Sequence, residues 1–364
     1  MGTLILNSLE IRRFRAFEHL QIEHLGRVNL IVGKNNVGKT SLLEAIWLYA
    51  NRASTPTFIW EIMATRREVK QPFVNARDML AALKYLFYGR KDIKPGLQPI
   101  QIGPINVSSD TLSISVDWSI TETRDGTLHN RLLEAGEAYT ADNLSPRFTI
   151  QAAGETISYP INPSLLPGIL RLNSNEIPCI LAPSSGLSGQ RLIELWDGIA
   201  LTKLEVDVLA ALKLIAPGLV ALNFVSTPLS GGERIPIVRI AEYDEPLPLY
   251  SLGDGMLRAL GISLALVNAK DGILLIDEFE NGLYYSVQPD VWKLIFRVAR
   301  RLSVQVFATT HSWDCIEAFQ KAAQEDSQNE GELIRLEDKK GRIVPTLYDE
   351  RQLGIATREH IEVR

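Results

Sequence analysis

Short, predominantly apolar runs that end at a glycine, an acid or a threonine pair recur near both ends of this chain. Such runs are typical of strands that are buried on both faces of a parallel sheet. In the last third of the chain, segments with apolar residues at helical spacing separate them, which predicts crossover helices between parallel strands. The predicted strands are Val28–Val32, Ile273–Ile276 and Val304–Ala308, and the predicted helices are Ser41–Ala50, Met256–Asn268 and Ser286–Leu302.

A different pattern, alternation of apolar and polar residues, fills the middle of the chain. Thr111–Thr121 has an apolar residue at every second position, which predicts a half-buried strand. Phe148–Ala152 and Thr156–Ile161 predict two more strands around Gly154. Because prolines and turn signals recur here, we expect a β-rich region inserted after the first helix.

The remaining segments complete the predicted outline. Leu4–Ile11 predicts a strand, and the polar segment Asn51–Gln71 predicts a loop. We expect helices at Phe73–Gly89 and Leu192–Ile215, a hairpin of Val220–Val225 with Ile235–Ile240, and a second hairpin within residues 333–347 before a short helical tail.

The composition is that of a globular protein with a large core, since 46% of the 364 residues are apolar and 22% are charged. The net charge of −5 argues against general nucleic-acid binding, although a local basic patch remains open. Two cysteines without metal-type spacing, Cys179 and Cys315, fit a reducing compartment. Without a signal-peptide pattern or an apolar run of about 18 residues, we expect a cytoplasmic protein with no membrane span.

The clearest chemical signal follows the first buried strand. Residues 33–40 match the pattern G-x-x-x-x-G-K-[ST] in full, between a predicted strand and a predicted helix. Backbone N–H groups of such a turn surround phosphates, and the helix N-terminus adds a favourable dipole. We expect Lys39 to reach the β- and γ-phosphates of ATP and Thr40 to bind Mg²⁺. The predicted nucleotide-binding residues of this P-loop are Gly33, Asn35, Asn36, Val37, Gly38, Lys39, Thr40 and Ser41.

Two acids and a histidine follow the other two buried strands. Asp277 and Glu278 stand at the carboxyl end of a predicted parallel strand, where ligands of such sheets bind. We expect Asp277 to hold Mg²⁺ and Glu278 to polarise the attacking water as general base. His311 follows the last of the three strands, so we expect it to reach the same edge and to sense or stabilise the γ-phosphate.

The order P-loop, long insertion, serine-rich turn, Asp-Glu strand and strand-His resembles that of ABC-type ATPase heads such as those of SMC, RecF and OLD proteins. This resemblance implies that two subunits share each ATP. One subunit supplies the P-loop and the acids, and the other presents a signature loop at a helix N-terminus. We therefore expect a C2 homodimer, or a higher oligomer, that encloses two ATP molecules.

Two segments compete for the signature loop. Ser230-Gly231-Gly232-Glu233 is closer to the transporter signature by letters, but the β-branched, proline-containing segment after it predicts a strand and hence a hairpin turn. Ser251–Gly255 precedes the predicted helix Met256–Asn268, as a phosphate-binding helix N-terminus requires. We assign the signature to Ser251, Gly253, Asp254 and Gly255.

Three stretches are similar to OLD-like ATPases of bacterial phage-defence systems, namely Ser-Leu-Gly-Asp-Gly-Met, Leu-Leu-Ile-Asp-Glu-Phe-Glu-Asn-Gly-Leu and Ala-Thr-Thr-His-Ser-Trp-Asp. The opening Ile11–Phe17 is similar to the start of RecF and SMC heads, which implies that Arg15 approaches the phosphates. Asn281 and Gly282 would occupy the D-loop, which communicates between the two sites of a dimer. For the Q-loop, Gln71, Gln98 and Gln101 remain alternatives.

We therefore expect one α/β head of the ABC type, with a β-rich lobe that contains the P-loop and a second lobe of helices and parallel sheet. Without a long coiled-coil insertion the chain does not fit a full SMC protein, and we expect no nuclease domain of the OLD kind after His311. The expected parts are residues 1–50 with the P-loop, 51–190 as the inserted β-rich region with a helical excursion, 191–332 with the signature and the acids, and 333–364 as hairpin and tail.

These features predict an ATP-hydrolysing subunit whose nucleotide-gated dimer controls a separately encoded effector, a nuclease or toxin, in anti-phage defence. One alternative is a RecF- or SMC-like ATPase that binds DNA directly in repair or maintenance. Its basic surface would be Arg12, Arg13 and Arg15, or Arg66, Arg67 and Lys70. Another is a nucleotide-locked scaffold with an idle Glu278. A membrane transporter subunit is disfavoured because the signature loop differs.

Overall fold

The structure is a computed structural model that describes residues 4–69, 75–124, 127–134, 137, 144–162, 176–226, 233–325, 330–349, 352, 354 and 355, and all structural statements concern these residues. The helices are α1 (Lys39–Ala50), α2 (Thr55–Thr65), α3 (Ala76–Leu83), α4 (Gly189–Asp197), α5 (Glu205–Lys213), α6 (Asp254–Asn268), α7 (Gln288–Arg301) and α8 (Trp313–Glu325). The strands are β1 (Leu9–Phe14), β2 (Phe17–Ile22), β3 (Val28–Val32), β4 (Ile100–Gly103), β5 (Leu112–Arg124), β6 (Thr127–Leu132), β7 (Leu144–Ala152), β8 (Glu155–Pro160), β9 (Cys179–Ala182), β10 (Leu219–Ser226), β11 (Arg234–Ile240), β12 (Leu247–Pro248), β13 (Ile273–Ile276), β14 (Gln305–Thr309), β15 (Gly331–Lys339) and β16 (Arg342–Tyr348).

A largely parallel sheet carries the three strands that the sequence marks as buried. Its order is β16-β15-β3-β14-β13-β9, with neighbours parallel except for the antiparallel edge strand β16. Both faces are covered, because Leu30 of β3 packs into one core cluster and its neighbour Ile31 packs into the other. This double burial explains why the strands are apolar at almost every position. The carboxyl ends of β3, β13 and β14 therefore meet at one edge.

A second, antiparallel sheet forms the expected β-rich region. Its order in the described residues is β2-β1-β4-β5-β7-β8, with β6 paired to β5. Helix α1 packs in the same core cluster as this sheet and as one face of the parallel sheet. Every residue of α1 after Thr40 is buried, as expected for a helix enclosed on all sides. The P-loop thus lies at the junction of the two sheets, with its strand in the parallel sheet.

The other face of the parallel sheet is covered by helices. Helices α6, α7 and α8 each contribute more buried apolar residues there than any other described element. Trp292 of α7 is fully buried and stacks on Phe279 with ring centroids 4.0 Å apart, while the Phe319 ring of α8 meets its edge at 5.1 Å. This aromatic cluster fixes the helices beneath the segment that follows β13. No helix among the described residues has the length and apolarity needed to cross a membrane.

Several expected elements are confirmed. The strands Val28–Val32 and Ile273–Ile276, the helix before Asn268 and the strands around Gly154 lie where the pattern predicts them. The two hairpins also form, since β10 pairs with β11 and β15 pairs with β16, both antiparallel. The proposed turn at residues 230–232 lies outside the described residues, as does most of the expected helical tail.

Other predictions were wrong. Residues 55–65, expected as loop, form α2, because Ile59, Ile62 and Met63 bury one face of a helix behind Pro56. The segment Leu192–Ile215, expected as one helix, is two, α4 and α5, with α4 ending at Asp197 and capped by Gly198. The helix expected at Phe73–Gly89 is the shorter α3, and the first strand begins at Leu9 rather than Leu4. Strands β2, β4, β6 and β9 were not predicted.

The aromatic cluster gives the first testable prediction. Trp292→Ala removes a fully buried ring that contacts two others, so it lowers the free energy of unfolding by about 3–5 kcal/mol. Tyr243→Ala removes an aromatic ring that is 56% exposed, and it changes this free energy by less than about 0.5 kcal/mol. Urea unfolding monitored by circular dichroism compares the two variants. Equal, small effects would contradict the packing described above.

Candidate nucleotide-binding site

The P-loop turn requires glycine at its two ends. Gly33 and Gly38 have φ angles of 143° and 94°, which side chains rarely allow. A Cβ on Gly33 would lie 2.4 Å from the Leu336 carbonyl oxygen, and one on Gly38 would lie 2.8 Å from Cζ of Phe17. The turn is therefore fixed by contacts with strands β15 and β2, and it directs backbone N–H groups toward a ligand at the start of α1.

Lys39 is the cation at the centre of this turn. Its Nζ donates hydrogen bonds to the carbonyl oxygens of Gly33 and Lys34, at 2.6 and 3.0 Å. Burial lowers the pKa of the Lys39 ammonium, and the carboxylates of Glu278 and Asp277 oppose that shift. A half-buried ammonium held among carbonyls and facing two acids is well placed to bind the terminal phosphates of a nucleotide.

Thr40 and Asp277 meet at the edge of the parallel sheet. The Thr40 hydroxyl lies 3.3 and 3.4 Å from the two carboxylate oxygens of Asp277, and the Thr309 hydroxyl donates to one of them at 2.7 Å. These are oxygen ligands, which Mg²⁺ prefers. Among the described residues no group of three or more His, Cys, Asp or Glu side chains could hold a metal. Thr40 and Asp277 therefore fit an ion that takes its other ligands from phosphates and water.

Glu278 lies beside this pair in a strained backbone conformation, with φ at 48°. Its N–H donates to the Thr309 hydroxyl at 2.8 Å, and its side-chain Oε2 accepts from Nδ2 of Asn281, also at 2.8 Å. The carboxylate is partly exposed at the mouth of the P-loop cavity. Thr309 thus connects both acids, while Asn281 orients the one suited to act as a base.

His311 reaches the same edge, but its nearest acid is one that the sequence analysis did not assign. Its Nδ1 lies 3.2 Å from Oε1 of Glu280 and 3.9 Å from Oε1 of Glu278. The His311 backbone N–H also donates to Glu280, at 3.1 Å. Glu280 therefore holds the histidine at both its ring and its main chain. The third acid of the run Asp-Glu-Phe-Glu was the available signal.

A cavity of about 670 Å³ opens beside the P-loop. It brings together many predicted residues and adds three unassigned contributions: Arg66, the pair Gly89–Arg90, and the tip of the β15–β16 hairpin. Val37 is buried behind the loop. Neither Gln98 nor Gln101 lines the cavity, and Gln71 lies outside the described residues, so the Q-loop assignment stays open. The predicted residues that line it are Arg15, Asn35, Asn36, Gly38, Lys39, Thr40, Ser41 and Glu278.

Arg15 lines this cavity but is held by carboxylates. Its side chain is 2% exposed, with Nε 2.8 Å from Glu44 and the two terminal nitrogens 2.8 and 3.0 Å from Glu68. Arg66 also donates to Glu44, and 3.4 Å separate it from the Ser41 hydroxyl. Burial raises the pKa of Glu44, and the two arginines oppose that shift. A contact of Arg15 with phosphate remains a prediction.

Arg90 differs from the other cavity arginines. It is exposed, has a positive φ of 52°, and makes no ion pair with any described residue. A cation without a carboxylate partner at the wall of a phosphate-sized cavity is free to bind an anion. Strain at such a position is common at ligand sites. Sequence reasoning missed Arg90 because nothing local connects residue 90 with the P-loop.

The assigned signature loop, Ser251–Gly255, lies at the N-terminus of α6. Gly253 is the N-cap with φ at 89°, and Ser251, Gly253 and Asp254 are exposed. The loop does not line the cavity of its own chain. Instead it packs on the D-loop residue Gly282, whose carbonyl oxygen would lie 2.8 Å from a Cβ on Gly255. The exposed helix N-terminus is therefore available to a second molecule.

Comparisons with known proteins agree with this geometry. Residues 5–95 match the family "AAA ATPase domain", and residues 237–314 match the family "AAA domain, putative AbiEii toxin, Type IV TA system". The chain is 24% identical to an ATP/GTP phosphatase of Helicobacter pylori over 372 residues, which cover 94% of this chain and 95% of that protein. It is 44% identical to the DNA replication and repair protein RecF of Thioalkalivibrio sulfidiphilus over 54 residues, 15% of each chain.

Two solved structures of SMC heads have a similar fold. One is an SMC head bound to the C-terminal winged-helix domain of ScpA, with a TM-score of 0.50 and 11% identity over 94% of this chain and 97% of that one. The other is a Pyrococcus furiosus SMC head with an extended coiled coil, bound to the C-terminal domain of ScpA. It has a TM-score of 0.50 and 9% identity over 98% of this chain and 99% of that one.

The site, the fold and these matches define the class. Together they support a P-loop ATPase head of the ABC type, in the class that includes RecF and SMC heads. The two matched segments contain, between them, the P-loop, the predicted signature loop, the acid pair and His311. The expectation from the sequence is confirmed at that level.

The unpaired arginine gives the second testable prediction. Arg90→Ala removes one charge-assisted contact with the nucleotide, so it weakens ATP binding about tenfold and reduces its salt dependence. Arg67→Ala is the matched control, since Arg67 is also exposed with a positive φ, but it does not line the cavity. Isothermal titration calorimetry with ATP gives the affinities. Equal ATP affinities for both variants would show that Arg90 does not contact the nucleotide.

Proposed function

We propose that this chain hydrolyses ATP with Mg²⁺ at a site completed by a second copy of itself. The observation that carries the proposal is the approach of the Thr40 hydroxyl to the Asp277 carboxylate, 3.3 Å, near Lys39, whose ammonium interacts electrostatically with Glu278 and Asp277. Residues 237 positions apart meet there only through the parallel sheet. A P-loop hydroxyl, an acid for the metal, a lysine and a second acid form the set of groups that phosphoryl transfer requires.

The residues divide the chemistry among themselves. Lys39 and the P-loop N–H groups bind the β- and γ-phosphates and offset negative charge that spreads over them. Thr40 and Asp277 would hold Mg²⁺, which would neutralise phosphate charge. Glu278 takes a proton from the attacking water as its oxygen bonds to the γ-phosphorus and the bond to the β–γ bridging oxygen breaks. Asn281 keeps the Glu278 carboxylate oriented, and His311, held by Glu280, faces the departing phosphate.

A second copy supplies the missing contact. The exposed N-terminus of α6 in one chain offers N–H groups and a positive dipole end, but that loop is absent from the lining of its own cavity. A head-to-tail C2 pair would bring each signature loop, Ser251–Gly255, to the γ-phosphate bound by its partner. ATP bound between the two chains then holds the dimer together, and hydrolysis releases the chains from each other.

The finer proposal is that this nucleotide-gated dimer controls a separately encoded effector, a nuclease or toxin, in bacterial anti-phage defence. Its support is the match of residues 237–314 to a family described with AbiEii toxin and type IV toxin–antitoxin systems, together with the OLD-like motifs. Solved SMC heads of similar fold carry bound ScpA domains, so this fold can hold a partner protein.

Direct DNA binding is the second candidate function. The match to RecF favours it, since that relative is described as a DNA replication and repair protein. The proposed basic surface is weak, however, because Arg15 is buried on Glu44 and Glu68, Arg12 pairs with Glu10, and Arg66 pairs with Glu44. We therefore rank it second.

Three substitutions test the composite site. Glu278→Gln removes the base but keeps its shape, so turnover falls at least about a hundredfold and an ATP-bound dimer accumulates. Lys39→Ala abolishes ATP binding, and Ser251→Arg leaves binding intact while blocking dimerisation and turnover. Turnover assays and light scattering with and without ATP measure all three. If Ser251→Arg changes neither dimerisation nor turnover while the Lys39 and Glu278 substitutions have strong effects, the chain is an ATPase but its site is not completed by a second copy.

The effector proposal makes a separate prediction. Because nucleic-acid cleavage belongs to the partner, the purified wild-type chain with ATP and Mg²⁺ leaves supercoiled plasmid intact under conditions in which it hydrolyses ATP. Gel electrophoresis of the plasmid gives the answer, and Glu278→Gln serves as the hydrolysis-deficient control. Cleavage by the wild type alone would overturn the need for an effector nuclease. ATP-dependent, salt-sensitive duplex binding would instead favour the DNA-repair alternative.

A further inference from the structure

A buried arginine connects the signature helix to the loop that holds both acids. Arg258 lies on the first turns of α6 and is 6% exposed. One terminal nitrogen, Nη1, donates to the Pro183 carbonyl oxygen at 2.6 Å. The other, Nη2, donates to the carbonyl oxygens of Asp277 and Glu278 at 2.7 and 2.8 Å. The main chain of the metal-binding acid and of the general base is thus tied to one side chain.

The chemistry of the guanidinium explains why these bonds are specific. Its donors form a rigid planar fork, so they fix the three carbonyl groups relative to each other and to the helix. Burial lowers the pKa of Arg258, while the carboxylates of Asp277, Glu280 and Glu278 oppose that shift. Burying a charge is costly unless it is hydrogen-bonded. The hydrogen bonds of Arg258 therefore fix the main chain of both acids relative to α6.

A second contact also joins the start of α6 to the loop that holds both acids. Gly255 of the signature loop packs so closely on Gly282 that a Cβ would lie 2.8 Å from its carbonyl oxygen. The neighbouring Asn281 donates to Glu278 Oε2 at 2.8 Å and lies 3.3 Å from the Ser184 carbonyl oxygen. The start of α6 therefore contacts the acid loop through the main chain at Gly282 and through the side chain of Arg258.

We propose that Arg258 is a positioning residue that couples the two ATP sites of the dimer. Within one chain it fixes the general base, Glu278, to the signature helix α6. Because that helix docks on the nucleotide of the partner, occupancy of the partner's site sets the position of Glu278 in the first chain's own site. This inference rests on the proposed two-copy ATPase. Arg258 itself does not line the nucleotide cavity, so it acts on the reaction only through Glu278.

Mixed dimers that carry Ser251→Arg in one chain test this coupling. The substitution disables the composite site that needs the altered signature loop. The remaining site uses the Glu278 of that same chain, so independent sites leave half of the wild-type turnover. Coupling predicts turnover about fivefold or more below that half, since this Glu278 no longer receives the docking signal. Because hydrolysis releases the proposed dimer, the two chains of each pair are joined by a flexible linker, which keeps them together and prevents exchange during turnover.

The same comparison is repeated with Arg258→Lys in both chains. Lysine keeps the charge but cannot span the three carbonyl groups, so the base is no longer fixed to the helix. We expect kcat of the Arg258→Lys homodimer to fall about tenfold with KM for ATP nearly unchanged. In this background, the Ser251→Arg mixed dimer should retain half of the homodimer turnover, because the coupling is lost. Arg239→Lys, at an exposed arginine of β11, is the matched control and preserves the wild-type pattern.

The outcomes distinguish the coupling role of Arg258 from the proposed two-copy ATPase. If the mixed dimer retains half of the turnover in both the wild-type and the Arg258→Lys backgrounds, the coupling role of Arg258 is disproved while the two-copy ATPase stands. If the wild type neither turns over ATP nor dimerises, the proposed function itself fails. Should Arg258→Lys not fold, Arg258→Gln, which keeps a neutral donor, is judged by the same comparison.

Discussion

The parallel pairing of β3, β14 and β13 is the constraint on which the rest of this molecule depends. Register places Leu30 opposite Ala308, and Ala308 opposite Ile276, so the three strands end within two residues of each other. The P-loop, Thr309 and the acid pair therefore leave the sheet at one edge. A shift of one residue in either pairing would turn apolar side chains from one core to the other, so burial on both faces protects this alignment.

Electrostatics at that edge depend on how each charge is anchored. Lys39 donates hydrogen bonds to carbonyl oxygens of its own loop, while Asp277 accepts a hydrogen bond from the Thr309 hydroxyl. Arg15 and Arg66 share the buried carboxylate of Glu44 and so keep the P-loop helix and the α2 segment together. Paired charges in such a network favour one geometry of the side chains, whereas their net contribution to the free energy of unfolding is small. The site is therefore prearranged for anionic phosphates.

Local signals were enough to predict the groups that belong to sequence motifs. Gly33–Thr40 lies in one turn, and Asp277 with Glu278 follows one strand, so spacing alone identified them. Arg90, Glu280 and Arg258 escaped because their roles come from contacts between distant elements. Strand β2 was missed because its apolar residues, Phe17, Leu20 and Ile22, do not alternate regularly with polar ones. Helix α2 was missed because its threonines made a segment with one buried apolar face look polar. Partner and pathway depend on surfaces that motifs do not describe.

The central claim is that the signature loop of one chain closes on the P-loop cavity of another. A crosslinking experiment tests it directly, by mixing a chain carrying Asn36→Cys with a chain carrying Ser251→Cys and adding a short bismaleimide reagent. Both positions are exposed, whereas the native Cys315 is buried and Cys179 is partly so, and the unaltered chain controls for them. We expect a crosslinked heterodimer with ATP and Mg²⁺, and little without nucleotide. Crosslinking that is absent, or equal with and without ATP, would contradict it.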